Sequence, residues 1–476
     1  IALFLLGAHS TSFAPAKYGL LPQVLQDSEI VGGNALLETG TFLAILLGTL
    51  LGGLLVAQGE HGKASLVILG IAVAGLLTSF AMPRLKALAP GLRIDWNPWR
   101  STWSSLQVAR ESRAVLLSLL GNSWFWFFGA LVLAQLPLLV KSVIGGNEQV
   151  VTLLLVTFSV GVGVGPLLCE RFRGAKVEIG LVPLGSIGLT VFALDLALGA
   201  PDAPATVPLT ASGFLAQPGG WRLLTDLGLL GLFGGFYIVP LYALIQERTR
   251  PEALSRVVSA NNILNALFMV AAALFGAVAL GNGLTIPELL VAVAAMNAAV
   301  ALNIYYLVPE FLLRFLAWVL MHSIYRLRVE GLESIPERGP ALLTCNHVSF
   351  VDPIIIAAVC RRPVRFIMDA SIFRIPLLNL VFRGMKAIPV APAKKDPVIY
   401  ERAFEVVRQE LADGQLVCIF PEGRLSTDGE LGPFRAGMMR ILEETPVPVI
   451  PLAVSGLWGS MFSRYEKTVL LRAPRK

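Results

Sequence analysis

The chain has 476 residues, with 38 Lys and Arg against 32 Asp and Glu, for a net charge of +6. It is 55% hydrophobic and only 15% charged, with a mean hydropathy of +0.70, where an ordinary soluble domain carries about 25% charged residues. That balance excludes a purely water-soluble protein: much of the surface must face lipid. The modest positive excess suits anionic headgroups at a membrane face. No basic run is interleaved with aromatics, so nucleic acid is not expected as a partner. The four cysteines, Cys169, Cys345, Cys360 and Cys418, have no CxxC spacing and no nearby His pair, which argues against a zinc site or a disulfide framework. No metal and no bound cofactor are expected. The chain opens inside an apolar segment, Ile1-Ala2-Leu3, without a basic leader, and so reads as a piece of a longer protein rather than a signal peptide.

From residue 1 to about 309 long apolar stretches alternate with short polar hinges, each stretch close to the roughly 20 residues a helix needs to cross a bilayer. Residues 64–81, 114–140, 150–169, 257–287 and 289–309 contain no Asp, Glu, Lys or Arg. The apolar parts of 34–56, 177–199 and 223–245 each hold one acid, Glu38, Asp195 and Asp226. Gly281-Asn282-Gly283 breaks the longest run before the next span. The pattern predicts an all-α polytopic bundle of eight full spans, plus the tail of another over residues 1 to about 14. Loop charge then orients it. The connection at 83–113 carries Arg84, Lys86, Arg93, Arg100, Arg110 and Arg113, that at 170–176 carries Arg171, Arg173 and Lys176, and that at 246–256 carries Arg248, Arg250 and Arg256. The alternate loops hold only Lys63 (57–63) and Lys141 (141–149), with none in 200–221 or 281–287. This parity places everything after residue 309 on the cytoplasmic side.

An acid at membrane depth is costly and is a functional candidate. Glu38 lies close to the start of a span, so transport and interfacial snorkelling both fit it, and Asp195 and Asp226 lie near span ends. Asn261, Asn262 and Asn265 share a helix face, where they either line a polar cavity or hydrogen-bond neighbouring helices. Gly161-Val162-Gly163-Val164-Gly165 sits in the middle of a span and reads as a close-packing surface, not a phosphate loop. The runs Ser12-Phe13-Ala14-Pro15-Ala16-Lys17-Tyr18-Gly19-Leu20-Leu21-Pro22, Asn34-Ala35-Leu36-Leu37-Glu38 and Pro240-Leu241-Tyr242-Ala243-Leu244-Ile245-Gln246-Glu247-Arg248 resemble the major facilitator superfamily and, within it, the bacterial lysophospholipid transporters. The resemblance covers residues 1–309 and implies that a lysophospholipid moves from the outer to the inner leaflet of a bacterial cytoplasmic (inner) membrane. In a twelve-span scheme this stretch would hold the end of the fourth span and the fifth through twelfth. Lys17, Glu38, Asn261 and Asn265 are its candidate transport residues.

After residue 309 the texture changes. Residues 311–321 are apolar but interrupted by Arg314, too short to span, and predict an interfacial helix within a 310–324 linker. From Tyr325 to Lys476 short β-type runs (341–344, 387–390, 416–420, 447–454) alternate with helical ones (from Pro353, and near 398–412), an α/β domain. Of the four histidines, His9, His61, His322 and His347, only His347 directly follows a predicted buried strand and has a carboxylate five residues on. Asp352 precedes Pro353 and an apolar helix, the signature of an N-cap with proline at N1. A carboxylate held there can fix an imidazole tautomer. Alone, that spacing is a weak signal and better fits a capping Asp beside an unrelated His.

Two further motifs decide it. The runs Asn346-His347-Val348-Ser349-Phe350-Val351-Asp352, Phe420-Pro421-Glu422-Gly423-Arg424 and Val447-Pro448-Val449-Ile450-Pro451, in this order, resemble the glycerol-3-phosphate and lysophospholipid acyltransferase superfamily. The resemblance implies His347 as general base, Asp352 as its orienter, and Glu422, Gly423 and Arg424 as contacts to the glycerol acceptor. It also implies acyl-CoA or acyl-carrier protein as co-substrate. A covalent mechanism at Ser349 is a minor alternative. Where the phosphatidate-forming branch carries a phosphate-binding arginine, Ile388-Pro389-Val390 is followed by Ala391 and Pro392. Arg383, Lys394 or Lys395 would have to substitute, although a lysine lacks the bidentate fork. The family's usual Thr-Arg after Glu-Gly is replaced by Arg424-Leu425, and both changes resemble the branch that reacylates 2-acyl-glycerophosphoethanolamine. The cluster Arg361, Arg362, Arg365, Arg374, Arg383 and Lys386, opposed by Asp369, fits either a membrane-facing patch or a contact to the donor's phosphates or an acidic carrier. Arg365, Arg383 and Lys394 are the candidate phosphate or donor contacts.

The expected protein is therefore an acyltransferase that esterifies a lysophospholipid at the cytoplasmic membrane face, fed by the fused transporter half. One alternative is a 1-acylglycerol-3-phosphate acyltransferase whose membrane half is mainly an anchor. The other is a transporter of a different amphiphile with an inactive appendage.

Overall fold

The computed structural model describes residues 2–26, 29–57, 61–82, 85, 97–173, 181–307, 309–336, 339–360, 362–460 and 462–464. The chain divides into two compact units, one of residues 1–174 with 181–302 and one from residue 303 onward.

The first unit is all helical. Its elements are α1 (Ala2–Val24), α2 (Ile30–Ala57), α3 (His61–Ser79), α4 (Pro98–Arg110), α5 (Arg113–Leu138), α6 (Glu148–Arg173), α7 (Leu181–Leu198), α8 (Ala211–Ala216), α9 (Gly220–Arg248), α10 (Pro251–Gly281) and α11 (Ile286–Leu307). Among the described residues eight helices are long and apolar enough to cross a membrane: α2, α3, α5, α6, α7, α9, α10 and α11. They coincide with the eight spans that composition predicts. The first helix departs from expectation, because α1 runs on to Val24 instead of ending near residue 14, and the Ser12–Pro22 motif lies within it. The basic connection at 83–113 also holds a helix, α4, started by the Asn97 side chain, which accepts from the amides of Trp99 and Arg100. Arg84, Lys86, Arg93 and Lys176 of the orienting loops lie outside the described residues.

Two helices meet backbone to backbone. A Cβ at Gly161 would stand 2.0 Å from the Gly228 carbonyl oxygen, and one at Gly165 would stand 2.3 Å from that of Leu232. From the other side, a Cβ at Gly231 would lie 2.4 Å from the Phe158 oxygen. The glycine run of α6 is thus the close-packing surface against α9, the small-residue contact that lets membrane helices approach in the absence of a hydrophobic drive.

The second unit begins with α12 (Pro309–Ile324) and continues through β1 (Ala341–Cys345), α13 (Asp352–Val359), β2 (Val364–Asp369), α14 (Pro376–Gly384), β3 (Ile388–Val390), α15 (Pro397–Ala412), β4 (Leu416–Ile419), α16 (Gly437–Glu444) and β5 (Val449–Leu452). The five strands form one sheet in the order β3-β2-β4-β1-β5, and every pairing is parallel. β1 and β4, at the centre, are buried nearly throughout, as a parallel sheet covered on both faces requires. β2 falls in the stretch that the sequence marks as a basic patch, and Arg365 inside it hides the strand pattern. Because β1 and β4 are neighbours with Thr344 opposite Ile419, the two segments that follow them emerge side by side. That is the edge where open parallel sheets bind their ligands. The helix α12 packs Ala317 and Met321 against Val351, Ile355 and Ala358, at the start of and within α13. Its Leu316, Val319 and Leu320 remain 49%, 38% and 41% exposed.

Candidate active site

The site is built where β1 ends. Asn346 Nδ2 donates to the Val454 carbonyl at 2.9 Å, and the Val454 amide donates to Asn346 Oδ1 at 2.8 Å. An asparagine side chain thus continues the β1–β5 ladder one step beyond the strand and fixes the departure point of the next residue, His347. The His347 ring stacks on Phe420 with centroids 4.2 Å apart and planes inclined by 23°. Its Nδ1 lies 2.9 Å from Asp352 Oδ2, with the His347 side chain 20% exposed and that of Asp352 fully buried.

Asp352 differs from the N-cap that the sequence predicts. The cap position belongs to Val351, and no side chain bonds the first amides of α13. The carboxylate reaches backward instead, where Oδ2 accepts the amides of Val348 at 2.8 Å and Ser349 at 2.9 Å as well as the imidazole. Two rigid backbone donors therefore hold the oxygen that holds the ring. With the carboxylate ionised, Nδ1 carries the proton and donates it, leaving the Nε2 lone pair to act as a base. No described residue bonds Nε2.

Glu422 is held by backbone amides. It is 3% exposed, and its Oε1 accepts the His347 amide at 2.9 Å while Oε2 accepts the Gly432 amide at 2.8 Å. Both oxygens accept from backbone amides, so the side chain helps to position His347. The same loop grips the other side of the His347 peptide, since the Ser426 amide donates to the His347 carbonyl at 2.8 Å. Gly423 has φ +62°, in the left-handed region that favours glycine, and a Cβ there would lie 2.7 Å from Arg435 Cδ. Arg424 is exposed at the end of the motif. The nearby Asp428 carboxyl is held below its usual range, first by the Glu430 amide and the Ser426 hydroxyl, with Arg424 adding a smaller pull.

Other nucleophilic side chains near the site are buried. Ser349 is fully buried and its hydroxyl donates to the Phe462 carbonyl at 3.1 Å. Burial, helped by the charges of Asp352 and Glu422, pushes the Cys345 thiol up to about 12, and burial likewise raises that of Cys418.

The basic cluster separates on inspection. Arg365, a candidate phosphate or donor contact, is 4% exposed and its Nε donates to Glu410 Oε2 on α15 at 3.0 Å, so it is engaged inside the domain. Arg362 donates to the carbonyls of Pro336, Gly339 and Gly414, clamping loops that precede β1 and β4, at the end of the sheet opposite His347. Arg383 and Lys394 are exposed, on the segments that flank edge strand β3. Arg361 lies outside the described residues.

In the helical unit three of the candidate transport residues belong to one buried polar network. Glu38 is 1% exposed and accepts from Tyr18 Oη at 2.5 Å. The Tyr18 ring stacks on Tyr242 with centroids 4.8 Å apart, and Tyr242 Oη accepts from Asn261 Nδ2 at 3.3 Å. Asn261 Oδ1 in turn accepts from Asn122 Nδ2 at 2.9 Å. Lys17 donates to Thr41 at 2.9 Å and lies 4.8 Å from the Tyr18 ring centre. Asn265 pairs with Ser123 at 2.9 Å. Asn34 is bonded to Gln246, which also donates to the Tyr18 carbonyl at 3.2 Å. These bonds tie α1 and α2 to α5, α9 and α10. Sequence reasoning gave no separate role to Tyr18, Asn34, Asn122, Tyr242 or Gln246; their only signal is that they are polar residues inside apolar spans.

Comparison with known proteins agrees with this division. Residues 326–455 match the family model "Acyltransferase". Over half of the chain the protein is similar to the lysophospholipid transporter LplT of Klebsiella pneumoniae, 28% identical over 250 residues, covering 52% of this chain and 58% of that protein. The LplT of Pectobacterium carotovorum is 30% identical over 247 residues, covering 51% and 56%. The chain thus spans little more than half the length of these curated relatives. Among solved structures, the 1-acyl-sn-glycerophosphate (LPA) acyltransferase PlsC of Thermotoga maritima aligns at 23% identity. That alignment covers 34% of this chain and 63% of that one, with a TM-score of 0.28, too low to carry an argument. The chain thus joins a helical half similar to lysophospholipid transporters, with eight helices long and apolar enough to cross a membrane among the described residues, to an acyltransferase domain matched at residues 326–455.

Proposed function

We propose that the protein takes up a lysophospholipid through its helical unit and reacylates it at the cytoplasmic face of a bacterial inner membrane. The observation that carries the catalytic half is the His347–Asp352 pair, with its carboxylate fixed by two amides and its ring open on one side. In this reading His347 Nε2 takes the proton of the free glycerol hydroxyl as that oxygen attacks the thioester carbonyl. The tetrahedral adduct collapses to the ester, and the departing thiolate takes the proton back from the imidazolium. Such a base contributes about 10²–10⁴ in rate.

Acyl-CoA or acyl-carrier protein is the donor. A headgroup-bearing acceptor is favoured because no cation follows Val390, where Ala391 and Pro392 stand, and a phosphodiester needs less cationic capture than a phosphomonoester. The alternation of Arg and Lys between loops supports the cytoplasmic placement, and the uncovered apolar face of α12 supports an interfacial role for it. The intact His347–Asp352 pair speaks against an inactive appendage.

The test uses membranes holding the full-length protein, a labelled acyl thioester, and either lysophosphatidylethanolamine or lysophosphatidic acid. Faster acylation of the first is expected, with a fall of about 10²–10⁴ in His347→Ala. Unchanged activity in that variant would sink the mechanism, and a preference for lysophosphatidic acid would sink the substrate assignment. For transport, labelled lysolipid should still move inward in His347→Ala membranes.

A further inference from the structure

The cations of the acyltransferase unit differ in what already holds them. Arg365 is bonded to Glu410, Arg362 to three carbonyls, and Arg440 to Glu401 and Glu444. Arg435 is different. It is exposed, and its guanidinium makes no hydrogen bond or ion pair among the described residues. Its backbone is nonetheless held beside the motif. Its amide donates to the Pro421 carbonyl at 2.8 Å, and its side chain lies on Gly423, where a Cβ would approach Cδ at 2.7 Å, Nε at 2.9 Å and Cζ at 3.2 Å. Gly423 therefore does more than adopt a positive φ: with no Cβ, it leaves room for the Arg435 side chain to lie across the motif.

The residue that this side chain lies on adjoins the one that holds the His347 peptide. Gly423 is bonded to Glu422, and Glu422 Oε1 holds the His347 amide at 2.9 Å. The rival cations lie farther out. In the order β3-β2-β4-β1, the strand preceding Lys394 is three places from the strand preceding His347, about 14 Å at the usual strand spacing. An acceptor hydroxyl and its phosphate are separated only by the glycerol backbone, so a phosphate held at Lys394 would draw the hydroxyl away from the ring.

We propose that Arg435 binds the phosphodiester of the acyl acceptor, as the cation that stands in for the one missing after Val390. The inference rests on the lysophospholipid acyltransferase reading above. A guanidinium fork engages two phosphate oxygens at once, and a single positive charge matches the single negative charge of a phosphodiester. Arg424, on the same turn but with Asp428 nearby, is the weaker candidate.

The experiment measures acylation by full-length protein in membranes for wild type, Arg435→Gln and Arg435→Lys. The acceptors are lysophosphatidylethanolamine and monoacylglycerol, which has no phosphate. Arg435→Gln should raise KM for lysophosphatidylethanolamine about tenfold or more, leave KM for the acyl donor in place, and leave monoacylglycerol turnover unaffected. Arg435→Lys, which keeps stem and charge but not the fork, should fall between and shows that packing on Gly423 is intact. A wild-type acceptor KM in Arg435→Gln would overturn the inference, as would a rise in the donor KM instead or an equal loss with both acceptors. Failure of the wild type to acylate any lysophospholipid would overturn the underlying reading, and the inference with it.

Discussion

A single oxygen, Asp352 Oδ2, accepts from the His347 ring and from the amides of Val348 and Ser349. Charge matters more than shape in that arrangement, because an amide oxygen could accept the same bonds without stabilising an imidazolium. Asp352→Asn should therefore keep the fold and lower kcat by about 10²–10⁴ with little change in KM, a split that steady-state kinetics reads directly. Glu422 calls for the opposite test. Since its oxygens serve the amides of His347 and Gly432, Glu422→Gln turns one acceptor toward a donor and should cost about 1–3 kcal/mol. Thermal unfolding of the purified protein should reveal that loss, with a fall in kcat rather than a selective rise in acceptor KM. A KM effect alone would mark Glu422 as an acceptor contact. The difference between the two residues is also why one was legible and the other was not. His347 and Asp352 are five positions apart on one turn, so one short run holds both and the motifs that accompany it single them out. The partners of Glu422 depend on β4 lying beside β1, a pairing between segments some 75 residues apart that no local pattern encodes. Asn346 is hidden in the same way, its partner being Val454.

At the scale of elements, composition and period are strong guides where burial is uniform and weak where function interrupts the pattern. The eight spanning helices follow from uncharged length, and the glycine run of α6 was legible as packing because a phosphate has no reason to be in mid-span. β2 was missed because Arg365 breaks its apolar run, although the side chain ends buried against Glu410. The basic patch was legible as charge but not as structure, since only the sheet order separates clamping arginines from exposed ones. The α6–α9 contact gives a graded prediction. Gly161 faces the Gly228 carbonyl at 2.0 Å, whereas the nearest atom to a Cβ at Gly163 is Thr39 Cγ2 at 4.0 Å. A methyl at the first must push two backbones apart, and at the second it fits in ordinary contact. Gly161→Ala should destabilise the solubilised protein by about 1–3 kcal/mol, seen as a lower unfolding midpoint, and Gly163→Ala should leave that midpoint in place. Equal effects would mean that α6 and α9 are not in backbone contact.

For the whole molecule, joining a transporter-like unit to an acyltransferase makes sense only if each can fail without the other. The polar network in the helical unit is the place to test this. Polar groups at membrane depth need internal partners, and here Asn34 and Gln246 satisfy each other while Gln246 also reaches the Tyr18 carbonyl. Gln246→Leu removes the bonds to Asn34 and to the Tyr18 carbonyl and takes the donor from Asn34 Oδ1, while Asn34 Nδ2 keeps the Ile30 carbonyl, loosening α1 and α2 from α9. Glu38→Gln is milder, because its amide oxygen still accepts from Tyr18. Inward movement of labelled lysolipid should therefore fall further in Gln246→Leu than in Glu38→Gln. When lysolipid is supplied directly to detergent-solubilised protein, both variants should acylate it at the wild-type rate, since neither touches the His347 site. If acylation falls in step with uptake, Gln246 supports the whole chain rather than the passage of lipid.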